Sequence, residues 1–173
     1  MYMNKKTKKI TLSALFVALT VVSLYFASIL PTGQAGLVAA ASLFVAAAVI
    51  ESGIGSGLSV FVVSALIGML ILPNRAAPLL FIAFFGYYPI VKSLVERMSG
   101  TAFQWILKLA VFNAALTGIW LLMRELVTGI VGDMIPVLLI YVGGNVIFVL
   151  FDYGFSKLIW FYINRISRAP FSK

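Results

Sequence analysis

Apolar residues run through this chain in long blocks, and polar residues fall between the blocks instead of alternating with them. Glycine, proline and charge punctuation divides the sequence into six apolar segments, approximately 10 to 30, 35 to 51, 55 to 72, 79 to 97, 103 to 123 and 135 to 163. A helix that crosses a bilayer needs about 20 predominantly apolar residues, so each segment predicts one span. The expected fold class is all-α: an integral membrane bundle of six transmembrane helices forming a single transmembrane domain over 1–173. Residues 1–9 make a short basic N-terminus, and a basic tail begins at about 164.

Punctuation also predicts local shape. The stretch Glu51 to Gly57 is rich in glycine, which accepts positive φ, and predicts a tight reversal between the second and third spans. Pro89 lies inside the fourth span, where its missing N–H predicts a kink and freed carbonyls around Phe85. The last segment is long enough to project beyond the bilayer, with Lys157, Trp160 and Tyr162 as interfacial anchors. Tyr141, Gly143 and Gly144 in the same segment offer close approach or a bend.

Composition strengthens this picture. The chain is 62% hydrophobic and 10% charged, with a mean hydropathy of +1.10, far more apolar than a soluble domain tolerates. Its 173 residues leave room for about six spans and little else. The +8 net charge gathers at the two ends and in one internal loop, so it reads as a topology signal and not as a nucleic-acid surface. An N-terminus in the cytoplasm puts Lys92, Arg97, Lys108, Lys157, Arg165, Arg168 and Lys173 on or near that side, leaving Arg75 and Arg124 outside. Both termini are therefore expected in the cytoplasm of a multi-pass cell-membrane protein. Lys5, Lys6, Lys8 and Lys9 before an apolar run resemble the start of a signal peptide, but the run is too long, and a retained first helix is expected.

The chain has neither cysteine nor histidine. Zinc sites of the usual kind, thiol catalysis, histidine-ligated haem and Ser/His or Cys/His nucleophile pairs are excluded, so no metal, cofactor or enzymatic activity is expected. A GxxxxGK[ST] phosphate loop is also missing, and any ATP chemistry must come from partners.

Polar groups within spans are the remaining candidates. Lys92 and Glu96 are spaced for an ion pair on one helix surface, and Lys108 and Asp152 for a bridge between the last two helices. A structural ion-pair network explains these four better than a proton relay, because they lie toward span ends. Asn113 and Asn145 fall near mid-depth, where they can meet as packing glue or orient a small ligand in a cavity. Tyr87, Tyr88 and Tyr141 fit either a ligand wall or helix packing. On the outer side, Thr32, Gln34, Asn74, Arg75, Arg124, Glu125 and Asp133 lie in or beside loops that could close over a ligand, with Arg75 or Arg124 favouring an anion. The alternative is ordinary solvated loop charge.

In the first span, Ala14 and Ala18 form a small-xxx-small pattern that permits close helix approach, within the chain or with a partner. A basic N-terminus, this AxxxA pattern, six spans in this length and a glycine-rich turn between spans two and three resemble the substrate-binding S components of energy-coupling factor transporters. The resemblance implies a membrane-embedded subunit that captures a small molecule such as a vitamin or its precursor. It also implies separate coupling and ATPase subunits, with Ala14 and Ala18 against the coupling subunit. Gln34, Arg75, Tyr87, Tyr88, Asn113, Tyr141 and Asn145 are the ligand-binding candidates. The competing expectation is a non-transporting six-span scaffold of a cell-envelope or morphogenesis complex.

Overall fold

A computed structural model describes residues 5–30, 32–131 and 137–166. Side chains are described for 6–30, 32–121 and 138–166. The described chain is all-helical. Its elements are α1 (Lys5–Ile29), α2 (Gln34–Ser52), α3 (Ile54–Ile71), α4 (Ala76–Leu80), a π-helical turn (Phe81–Phe85), α5 (Tyr88–Val95), α6 (Thr101–Val131) and α7 (Val137–Arg165). Counting Ala76–Val95 as one span, six helices among the described residues are long and apolar enough to cross a membrane.

The expected glycine-rich reversal contracts to one residue. α2 continues to Ser52 and α3 starts at Ile54, so Gly53 alone joins them. Its φ of 92° and ψ of 174° lie in a region open almost only to glycine. The Gly53 N–H donates to the Val49 carbonyl at 2.9 Å, and its own carbonyl accepts from Ser56 and Gly57, closing one helix while opening the next. Gly55 and Gly57 therefore belong to α3.

The fourth span begins at Ala76, three residues before the expected start. Pro78 reads as punctuation in the sequence but falls in the first helical turn, where a missing N–H costs no hydrogen bond. The Asn74 side chain starts this turn by accepting from the Ala76 N–H at 2.9 Å. Around Pro89 the backbone takes a specific geometry. The proline ring would clash with the carbonyl of Phe85 in a regular helix. The backbone widens into the π turn just upstream, where Gly86 N–H reaches the Phe81 carbonyl at 2.7 Å, and α5 restarts at Tyr88.

Backbone contacts divide the chain into two compact units, Met1–Ser93 with Leu158–Lys173, and Leu94–Lys157. In the first, Leu24 and Ala27 of α1, Val38 and Val45 of α2, and Val60 of α3 are fully buried with Phe81 in one hydrophobic core. The second holds α6 and most of α7. Leu121, Leu138, Ile147 and Leu150 on these helices are at least two-thirds exposed, as fits apolar helices with lipid as the surrounding solvent.

Candidate functional site

The α6–α7 pair carries the densest polar cluster among the described residues, built by helical spacing. Lys108 stands level with Asp152, Phe112 with Phe148, Asn113 with Asn145, and Thr117 with Tyr141. Steps of four residues along α6 answer steps of four in the opposite direction along α7, the signature of an antiparallel hairpin. Gly144 permits the approach: a Cβ there would stand 3.2 Å from Leu116 and 3.5 Å from Phe112. α7 runs unbroken through Gly143 and Gly144, so neither breaks the helix, and of the two only Gly144 gives close contact.

Each layer of this seam is chemically closed. Asn113 donates to the Asn145 side-chain oxygen at 2.9 Å and receives the reciprocal bond at 3.0 Å. The second amide hydrogens go to the backbone, from Asn113 to Leu109 and from Asn145 to Tyr141, both at 2.8 Å. All four N–H donors of the pair are spent. Thr117 donates to the Asn113 carbonyl at 2.7 Å, which uses its only hydrogen. Tyr141 must therefore donate in the 2.8 Å contact between the two hydroxyls. Phe112 and Phe148 stack at 4.6 Å between the amide layer and the charges.

At the charged end, Lys108 lies 3.1 Å from Asp152 and 2.7 Å from Glu96. Side-chain exposure is 6% for Lys108, 3% for Asp152 and 42% for Glu96, so one buried ion pair carries a second carboxylate at its wet edge. The Trp105 ring, 5.4 Å from the ammonium, adds a cation–π contact. The expected Lys108–Asp152 bridge is present. Of the expected Lys92–Glu96 pair, Lys92 is buried within α5 and Glu96 falls in the turn after that helix ends at Val95. Sequence reading missed Thr117, although its place four residues after Asn113, with Tyr141 four before Asn145, was the available signal.

The other ligand candidates sit elsewhere. Gln34 donates to the Ala27 carbonyl at 3.1 Å, satisfying the end of α1. Arg75 is exposed at the start of α4. Tyr87 sends its hydroxyl back to the Ala83 carbonyl at 2.9 Å, within the stretch that the π turn disturbs. Tyr88 is fully buried, its ring 4.9 Å from that of Phe84. The Arg124 and Glu125 side chains, and Asp133 entirely, lie outside the described residues.

Ala14 and Ala18 are both exposed on α1, whose buried face is formed by Phe16, Thr20, Leu24 and Ala27. The small-residue pattern is thus not consumed by packing within the first unit. Beside it, an open groove of about 470 Å³ runs between α1 and α3, with Ser13, Ala14 and Val17 on one wall and Gly55, Ser59 and Val63 on the other.

Six long apolar helices, a closed polar hairpin and an open small-residue groove define a class, that of α-helical membrane proteins whose solvent is a lipid bilayer. No family model, curated protein or solved structure matches the chain, so its further assignment rests on its own residues.

Proposed function

We propose that this chain is a membrane-embedded, substrate-binding subunit of the S-component kind, in a cell membrane with both termini in the cytoplasm. It takes up a small molecule such as a vitamin or its precursor, driven by separate coupling and ATPase subunits. The observation carrying this reading is the exposed Ala14–Ala18 stripe on α1. Small residues on an outward helix face let a partner's backbone approach closely, which drives helix association where lipid and side chains are equally apolar.

The test is purification of the native assembly from membranes. The wild-type chain should recover a membrane coupling subunit, ATPases and a small molecule identifiable by mass spectrometry. Ala14→Leu and Ala18→Leu should weaken recovery of the proteins while leaving the chain helical. Repeated recovery of neither partners nor small molecule defeats the proposal.

One observation favours the scaffold reading instead. Asn113 and Asn145 spend their side-chain donors on each other and on backbone, and Tyr141 gives its hydroxyl hydrogen to Thr117, so these ligand candidates act as structural glue. Recovery of membrane proteins without ATPases or small molecule supports that reading.

A further inference from the structure

We propose that the groove between α1 and α3 is a binding site for one anionic phospholipid, with the phosphate headgroup at the Lys9 end and the upper part of an acyl chain along Val17 and Val63. This inference rests on membrane embedding alone and does not require a coupling partner or a transported molecule.

The groove is polar at one end and apolar at the other. α1 and α3 run parallel, being separated by a single reversed helix, so the first turns of both lie on the same side. Lys9, Ser13, Ser56 and Ser59 line that end. One and two turns deeper the walls become Val17 and Val63. Lys9 to Val17 rises about 12 Å along the helix, the distance over which a bilayer passes from headgroup to hydrocarbon. The occupant that matches this gradient is an amphiphile standing upright in the leaflet.

Charge fixes the sign of its head. No lining residue is acidic. Neither helix carries an acidic residue in its first turn, and α3 starts without a side-chain cap. The Lys9 ammonium and the uncapped start of α3 therefore meet at the groove mouth with no carboxylate from the lining to balance them. Juxtamembrane lysines draw anionic headgroups by just this imbalance. The volume, about 470 Å³, is that of a small-molecule site and exceeds what a free phosphate fills.

The experiment expresses the full chain alone and reconstitutes it into equimolar phosphatidylglycerol and phosphatidylcholine vesicles. It is then extracted in mild detergent, and retained lipid is counted by native mass spectrometry. Wild type should keep one phosphatidylglycerol in preference to phosphatidylcholine. Lys9→Gln should lower retention about fivefold, the worth of one lysine near a headgroup. Ser59→Leu, a change at an exposed position that fills the groove, should abolish retention with helicity unchanged by circular dichroism. Lys157→Gln, an exposed lysine on α7 outside the groove lining, should retain lipid as wild type does. Equal retention of the two lipids, full retention in Ser59→Leu, or equal loss in Lys157→Gln and Lys9→Gln overturns the site. Displacement of the lipid by millimolar inorganic phosphate also overturns it, by assigning the mouth to a free anion. Because the chain is purified without partners, these outcomes are independent of whether a coupling assembly is recovered from native membranes.

Discussion

Asn113 and Asn145 face each other across α6 and α7 in a reciprocal amide pair, with bonds of 2.9 and 3.0 Å. Each amide's remaining N–H is held by the backbone carbonyl four residues earlier on its own helix. The pair is saturated, so its worth depends on both members being present.

Asn113→Leu should therefore destabilise by more than the pair's own coupling, because Asn145 then keeps an unsatisfied amide in a partly buried site. The double change to leucine at both positions should recover part of the loss. A double-mutant cycle in detergent unfolding is expected to give a coupling of about 0.6 kcal/mol, and no more than about 1.7 kcal/mol. Additive single changes would show that the amides act separately.

The charged layer should be far more sensitive. Lys108→Met removes the cation 3.1 Å from Asp152, whose side chain is 3% exposed, and breaking this buried pair is expected to cost about 3–5 kcal/mol. Lys108→Met combined with Asp152→Leu should regain much of that stability. Glu96→Gln, at a carboxylate 42% exposed, should cost no more than about 1 kcal/mol. The same unfolding assay orders the three variants.

Gly86 sits where the π turn gives way to α5, and a methyl group there would strike the Phe61 ring and approach Phe81 to 2.8 Å. Gly86→Ala should destabilise by about 1–3 kcal/mol, the usual penalty for overpacking. Phe61→Leu in the same chain should relieve part of it. Thermal unfolding in detergent distinguishes this from Gly143→Ala, which meets open space and should be nearly silent.

The proposed orientation is testable with single cysteines, since the chain has none of its own. Asn74→Cys, exposed between α3 and α4, should react with a membrane-impermeant maleimide on intact cells. Ser99→Cys, exposed between α5 and α6, should react only after permeabilisation. The reverse pattern would exchange the two faces, moving the groove mouth to the outer leaflet.

Sequence alone determined the helical class and the number of spans, because an apolar run of bilayer length has few other stable fates. It also determined that Lys108 can reach Asp152 and that Asn113 can reach Asn145. Those residues lie at matching depths of consecutive apolar segments, and the price of an unpaired polar group in lipid makes partners of such neighbours. Only the tertiary structure decided how these groups spend their hydrogen bonds. Tyr87 turns to Ala83, Gln34 to Ala27 and Tyr141 to Thr117, choices set by rotamers and local backbone geometry that spacing does not encode. The outward face of Ala14 and Ala18 was equally hidden from the sequence. In a span apolar on every side, little periodicity separates the face that meets lipid from the face that meets protein, and packing alone makes the distinction.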